Sequence, residues 1–407
     1  MTTDQAAPSL AELISLADPA VIPDPYPLLA RMREASPFTE LDGALVVYGQ
    51  YADCSRLLRD PRASSRRNQS VLSTDRQARG RGTPSFLSLD PPDHTRMRRL
   101  VSQAFTPRVV TTLAGRISQL TDELLTEACE ADDHQFDLVS ALAYPLPVRI
   151  ISELLGVPPE DHATFAGWSA KLAHSVQPSF GTVDPAELAQ TEQASAEFRD
   201  YFTELIAARR SSPGDDLLTK LIRAEDEGQR LTLDEMISTC VLLLVAGHET
   251  TVGLISNAML ALLRNPDQLA ALVADPELAT QAVEETLRYD SPVQLTGRVA
   301  TGGLVERDGA VLLLLLSATG RDPAVFTDPD TFDIRRGTSE HLAFSAGPHF
   351  CVGAPLARLE ATIALKALAT RLIAPELDPD SLAYKPNYNL RGPERMLIGL
   401  HHIRPVG

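Results

Sequence analysis

Apolar residues recur three and four positions apart over most of the chain, the spacing of amphipathic helices. From Pro107 to Leu221 the pattern predicts almost unbroken helix, through VTTLAGRISQLTDELLTEA, VRIISELLGV and AEFRDYFTELIAARR, with breaks at Pro158-Pro159 and Ser212-Pro213-Gly214. Thr232 opens the longest predicted helix. Glu235, three residues on, completes a capping box, and the pattern runs to Asn265-Pro266, a span of about 50 Å at 1.5 Å per residue. Further helices are predicted after Asp275-Pro276, through ELATQAVEETLRYD to Ser291-Pro292, and from about Ala354 through APLARLEATIALKALATRLI. Strand signals are few and short. Phe38 to Val47 reads as a hairpin around Asp42-Gly43, Ala310 to Leu316 as an apolar strand, and NLRGPERMLIGL as a hairpin turning at Gly392-Pro393. Arg62 to Asp90 and Trp168 to Val183 are irregular. The pattern is that of a mainly α chain with small β sheets.

Composition narrows the class. With 407 residues, 44% hydrophobic and 22% charged, the chain can bury a large core, and no linker, repeat or low-complexity tract divides it, so residues 1–407 are read as one domain. A net charge of -17 argues against nucleic acid as a partner, because phosphate binding needs a basic surface. Cys54, Cys129, Cys240 and Cys351 are scattered without a C-x-x-C pair, the usage of a reducing compartment without disulfides or a zinc site. The first twenty residues carry acidic side chains and no basic stretch, unlike a signal peptide, and no apolar run approaches the roughly 20 residues that span a bilayer. A cytoplasmic protein without a membrane anchor is expected.

The candidate chemistry centres on HLAFSAGPHFCVGAPLARLE, His341 to Glu360. Phe344, Gly347, Cys351 and Gly353 fall at the spacing F-x-x-G-x-x-x-C-x-G, and the glycines permit a tight loop that brings backbone close to a ligand. Cys351 stands just before a predicted helix N-terminus, where the macrodipole and unpaired N–H groups favour a thiolate. Such a thiolate is a strong ligand for a haem iron, whereas a lone cysteine in a Gly-rich turn is ordinarily a buried structural residue. The long helix is very apolar from Val241 to Ala246 and then carries Gly247-His248-Glu249-Thr250-Thr251, polar groups that are costly at mid-helix without partners or a task. A zinc-protease H-E-x-x-H motif is excluded because Val252 stands where the second histidine belongs, while threonines bonding back to i-4 carbonyls are common structural behaviour. In DPPDHTRMRRLVSQAF, His94 and Arg98 lie four apart on one helix face and suit a pair of carboxylates, although an isolated pair of this kind is more often solvated. Glu285 and Arg288 lie three apart on another helix.

These motifs, in this order, closely resemble those of the cytochrome P450 family, over nearly the whole chain from about Asp42. The resemblance implies the P450 fold, with one haem b between the long central helix and the cysteine-loop helix. It implies Cys351 as the axial iron ligand, Phe344, Gly347 and Gly353 as shapers of its loop, and His94, Arg98, Arg298 and His349 as ligands of the haem propionates. It assigns Thr250 to hydrogen-bond dioxygen and Glu249 to relay protons, with desolvation expected to raise the pKa of Glu249. Glu285, Arg288 and Arg336 would form a structural lock beneath the cysteine loop. Leu243, Ala246, Val293 and Leu295 would line the substrate pocket, and the irregular segments 62–90 and 168–183 would cover it. Arg96, Arg99 and Arg358 would offer a basic patch to an acidic redox partner. The chain departs from the family pattern in three places: a shorter stretch between Arg298 and Arg321, Gly320 where Asn is common, and Ser345 where Gly often follows Phe344. Family membership implies a monooxygenase of the soluble bacterial type, expected to be a monomer, inserting one atom of O2 into a bulky apolar small molecule. Electrons would come ultimately from NAD(P)H through a separate ferredoxin and its reductase. Epoxidation, oxidative coupling or peroxide-driven chemistry would share every motif, and so would a haem-thiolate sensor apart from its proton relay.

Overall fold

The computed structural model describes residues 8–72, 85–131, 134–173, 185–223, 230–337 and 340–404. It divides into two compact units, one comprising Met1–Gly80, Asn257–Cys351 and Asp380–Arg395, the other Arg81–Ser256, Val352–Pro379 and Met396–Gly407. Four helices carry most of the candidate chemistry: α1 (Asp93–Ser102), α2 (Leu233–Arg264), α3 (Ala279–Tyr289) and α4 (Ala354–Arg371). The architecture is mainly α with small sheets, as the periodicity predicts.

The first unit is built on a five-stranded sheet of β1 (Phe38–Glu40), β2 (Leu45–Tyr48), β3 (Ala63–Ser64), β4 (Thr296–Ala300) and β5 (Val311–Leu314), in the order β1-β2-β5-β4-β3. The β2–β5 pair is parallel and the others antiparallel. Alternate residues enter two different cores. Val46, Tyr48, Leu312 and Leu314 pack with Cys54 and Leu57, while Leu45, Val47 and Leu313 pack with Leu13, Leu29 and Met32. Burial of both faces explains why β2 and β5 read as continuous apolar runs rather than alternating ones. The β1–β2 hairpin forms, but through four residues: Leu41, Asp42 and Gly43 all take positive φ (54°, 52° and 78°), and the Ala44 N–H donates to the Leu41 carbonyl at 3.0 Å. β5 is shorter than the expected 310–316 strand. After Leu315 donates to Tyr48 its partner strand has run out, and Leu316–Thr319 turns into a short helix.

The expected hairpin at Gly392-Pro393 is absent. Pro393–Arg395 instead pairs with Ala383–Tyr384, while Leu397–Gly399 pairs in the second unit with Gln135–Asp137 and Glu376–Leu377. The chain is held extended by Arg391, whose N–H donates to the Pro292 carbonyl and whose guanidinium, 3% exposed, donates to the carbonyls of Ile22 (3.0 Å) and Pro23 (2.8 Å) and pairs with Asp290. Asp290 also accepts from the Tyr26 hydroxyl at 2.8 Å, and burial with that carboxylate pushes the Tyr26 phenol far up.

In the second unit the stretch read as almost all helix contains the strand Gln135–Asp137, whose alternating burial and ladder to Leu397–Gly399 override the helical period around it. The capping box of α2 is present, with Thr232 N–H to Glu235 Oε2 at 2.8 Å and Glu235 N–H to Thr232 Oγ1 at 3.2 Å. At the other end Asn265 does not cap the next helix. Its Nδ2 donates backward to the Ala261 carbonyl at 2.8 Å and closes α2. Contrary to the sequence expectation, α2 is long and apolar enough to cross a membrane, the one such helix among the described residues; 61% of its most apolar window is buried in the protein, as in a core helix. Of the irregular segments, 73–84 and 174–183 lie outside the described residues, and Trp168–Ala173 is helical.

Removing one partner of a buried pair strands the other charge. Arg391→Ala should therefore lower unfolding stability in urea by about 3–5 kcal/mol, and adding Asp290→Asn should recover part of the loss. A change below about 1 kcal/mol, the range of an exposed pair, would show that Asp290 does not depend on Arg391.

Candidate active site

The cysteine stretch begins at His341, whose Nδ1 accepts from the Ala343 N–H (3.3 Å) while Nε2 reaches Glu284 Oε2 at 3.2 Å. The loop then closes on itself: the Cys351 N–H donates to the Phe344 carbonyl at 2.9 Å, and the Phe350 N–H to Gly347 at 3.1 Å. Gly347 has φ +66°, and a Cβ there would stand 2.5 Å from the Leu58 carbonyl, so only glycine permits this approach. Gly353 is different. Its φ is -84° and it caps α4, while Ser345 is the non-glycine residue of the loop that takes a positive φ, +62°. Ser345 Oγ is buried and makes no hydrogen bond. Phe344 meets Phe350 edge-on at 6.3 Å, and Cys351 is partly exposed.

Behind this loop, in the same unit, Glu285 and Arg288 are 3% and 1% exposed. Arg288 Nε and Nη2 donate to the two carboxylate oxygens at 2.8 and 2.7 Å. Arg336 Nε donates to Glu285 Oε1 at 3.3 Å, so the structure brings all three residues together. Gly320 follows from the same lock, because its carbonyl accepts from Arg288 Nη1 at 2.7 Å and a Cβ on it would meet the Arg288 carbonyl at 2.0 Å. Also in this unit, Arg298 on β4 is 7% exposed and donates to Thr296 Oγ1 and the Gly297 carbonyl, and His349 Nε2 lies 2.9 Å from Ser65 Oγ. Ser65 escaped sequence reasoning because its only signal is a long-range pairing. Leu295 packs in the core with Leu13, Leu29 and Met32, whereas Val293 packs against the cluster that holds Leu312 and Leu314.

In the second unit, α1 carries His94, 2% exposed beside the Phe86 ring, and Arg98 one turn on. Arg96 does not contribute to a basic patch, since its guanidinium pairs with Glu235, the capping residue of α2. That pairing and the Thr232 cap hold the Glu235 carboxyl below its usual range against the opposing effect of burial. On α2, Ala246 and Gly247 are exposed although Leu243, Leu244 and Val245 are buried. His248 is fully buried, its Nδ1 bonded to the Leu244 carbonyl at 2.8 Å and its Nε2 3.2 Å from Glu249 Oε1, with Tyr144 edge-on to the ring. A carbonyl only accepts, so Nδ1 is the donor and a proton must lie between Nε2 and Glu249 for that contact to attract. His248 is the residue the sequence reading undervalued. Thr250 and Thr251 donate to the carbonyls of Ala246 (2.8 Å) and Gly247 (3.1 Å). Tyr144, its hydroxyl pushed up to about 12 by burial and then by the Glu249 charge, stays neutral.

Among the described residues no three His, Cys, Asp or Glu side chains could hold a bare metal ion. Within the first unit, the partly exposed Cys351 and the donors Arg298 and His349, groups suited to a carboxylate, fit instead a metal that arrives with its own ligands and acidic side arms. The chain belongs to the cytochrome P450 family, whose model, Cytochrome P450, matches residues 42–372. It is 43% identical over 399 residues to cytochrome P450 monooxygenase PikC of Streptomyces venezuelae, covering 94% of this chain and 93% of that one. It is 38% identical over 389 residues to vitamin D(3) 25-hydroxylase of Pseudonocardia autotrophica, covering 92% and 93%. Ligand-free CYP164A2 of Mycobacterium smegmatis matches the structure with a TM-score of 0.89 and 45% identity over 96% of this chain and 100% of that one. The protein is an enzyme of the P450 monooxygenase class, and the family implies a haem cofactor.

Within α4, Glu360 is 1% exposed and its Oε1 has no hydrogen-bond partner; burial pushes its carboxyl up to about 8. The folded state thus keeps a proton that the unfolded chain releases near its ordinary 4.5, so stability should fall as pH rises from about 4.5 to about 8 and level off above. Urea midpoints of Glu360→Gln should lack this component. Parallel curves for variant and wild type would show that Glu360 is not protonated in the folded protein.

Proposed function

We propose that this chain is a haem-thiolate monooxygenase that hydroxylates a bulky apolar small molecule, with Cys351 as the axial ligand of haem b. The observation that carries the reading is the closed Phe344–Cys351 loop, which leaves one partly exposed thiol immediately before α4. We read residues 1–407 as one catalytic domain, since the family match runs through stretches of both compact units. When bound, a thiolate-ligated haem supplies the cleavage of O–O and the transfer of one oxygen atom to substrate.

The protein's own groups bind, orient and deliver protons. His94, Arg98, Arg298 and His349 hold the acidic side arms of the cofactor by charge-assisted hydrogen bonds. Thr250 is assigned to the hydrogen bonding of the oxygen substrate. Its hydroxyl proton is committed to the Ala246 carbonyl, so its oxygen presents lone pairs and accepts a hydrogen bond from a protonated group beside it. Glu249 supplies protons, drawing on the one it shares with His248. Exposed Ala246 and Gly247 leave room for a flat or bulky ligand along α2, where a larger residue would stand in the way. Ala246, Leu243 and Val293 are assigned to the substrate pocket.

The hydroxylation of a bulky apolar compound is supported by the relative named for 25-hydroxylation of vitamin D3. Electrons are assigned to a separate ferredoxin and reductase, ultimately from NAD(P)H, the arrangement general among bacterial members of the family. A monomer in the cytoplasm completes the reading.

The reduced, CO-treated protein should show the red-shifted Soret band of thiolate ligation, and Cys351→Ala should abolish it; persistence of that band in the variant would falsify the assignment. Thr250→Ala should go on consuming NADH with surrogate redox partners while forming less product and more hydrogen peroxide. Glu249→Gln should slow turnover, with losses of about two to four orders of magnitude at the upper limit of acid catalysis. Full coupling in both variants, on a substrate lacking a hydroxyl of its own near the reacting carbon, would make this polar cluster structural.

A further inference from the structure

The antiparallel register of β3 and β4 sets Ala63 opposite Ala300 and Ser64 opposite Val299. Carried one residue further, it brings Ser65 level with Arg298. Ser65 is 4% exposed and Arg298 7%. The cysteine loop descends on the same place, because Gly347 packs its backbone against Leu58 and Arg59, just upstream of β3. Two independent features, a strand register and a glycine contact, therefore converge on the 2.9 Å contact between Ser65 Oγ and His349 Nε2, residues 284 apart in the chain.

We propose that Ser65 is a positioning residue for cofactor binding: its hydroxyl fixes the rotation of the His349 imidazole beside Arg298, so that both side chains meet a cofactor carboxylate in one orientation. The proposal rests on the reading of His349 and Arg298 as carboxylate ligands. The terminal torsion of histidine is broad, and His349 sits half-exposed on a single turn of 3-10 helix, Gly347–His349, which does little to restrain its ring. A buried hydroxyl placed immediately after a strand supplies a restraint, and a ligand that is already oriented loses less freedom when it binds. Serine here is not needed by the ladder, which uses backbone groups alone.

The test is the rate at which haem transfers from the holoprotein to excess apomyoglobin. Ser65→Ala should speed transfer roughly five- to tenfold, the effect of losing one ordinary hydrogen bond. Ser65→Thr, which keeps the hydroxyl, should stay near wild type, and His349→Ala should lose haem at least as fast as Ser65→Ala. In the His349→Ala background, Ser65→Ala should add nothing further, because the serine acts through the histidine. An unchanged CO band in every variant checks that the iron ligand is intact. If His349→Ala loses haem faster while Ser65→Ala matches wild type, the role of Ser65 is overturned and the reading of His349 stands. The same holds if Ser65→Ala has equal effect with and without His349. Wild-type retention in His349→Ala would overturn the reading of His349 and the role of Ser65 together.

Discussion

Arg288 is a fully buried guanidinium that uses all five of its N–H donors. Nε and one Nη2 bond go to Glu285, two from Nη1 go to the carbonyls of Gly320 and Pro329, and the other from Nη2 goes to Thr331. A buried ion pair is costly to form and is retained when every donor and lone pair finds a partner. Glu285 meets that condition too, by accepting from Arg336 and from the Asp333 N–H at 2.8 Å. One i,i+3 pair on α3 thereby secures an irregular stretch from Gly320 to Arg336 that forms no sheet and little helix. That stretch leads directly into the cysteine loop, so the loop's starting point is set by a charge pair rather than by secondary structure.

What the sequence made legible were features with local causes. The capping box at Thr232, the length of α2, the hairpin at Asp42-Gly43 and the break after Ser211 each follow from residues within a few positions of one another. What it concealed were features decided by distant partners. Gln135–Asp137 is a strand only because Leu397–Gly399 lies beside it. Arg391 holds its own stretch extended by reaching back to Ile22 and Pro23, which no local turn signal at Gly392-Pro393 reveals. The site divides along the same line. The motif spacings named Cys351, His94 and Glu249, but the engagement of Arg96 by Glu235, of Leu295 by the core and of His349 by Ser65 depends on contacts across long sequence separations.

In the polar step of α2, the proposed chemical role falls on groups that also have a structural habit. Back-bonding of Thr250 to the Ala246 carbonyl is the ordinary behaviour of a helical threonine, and taken alone it would support a purely structural reading. While that bond is made, the Thr250 oxygen has only lone pairs to offer a second partner. His248 behaves in parallel. Its Nδ1 bond to Leu244 is structural, and by fixing the ring it determines what Nε2 can offer Glu249.

An acidic chain is an unexpected host for an acidic cofactor, and the placement of its charges resolves the conflict. Long-range repulsion between exposed carboxylates and a bound anion is screened within about 10 Å at ordinary ionic strength. Buried groups are screened far less, and among the described residues Arg288, Arg298, Arg321, Arg371 and Arg391 are all buried. Their partners differ in kind. Arg288 and Arg391 face buried carboxylates, and Arg321 lies between the rings of Tyr26 (3.5 Å) and Tyr289 (3.9 Å). Arg371 donates to the carbonyls of Asp122 and Arg404. Arg298 donates to the neutral oxygens of Thr296 and Gly297. The overall charge of -17 is therefore a weak guide to an anionic ligand, since exposed carboxylates beyond the screening length count for less than buried cations close by.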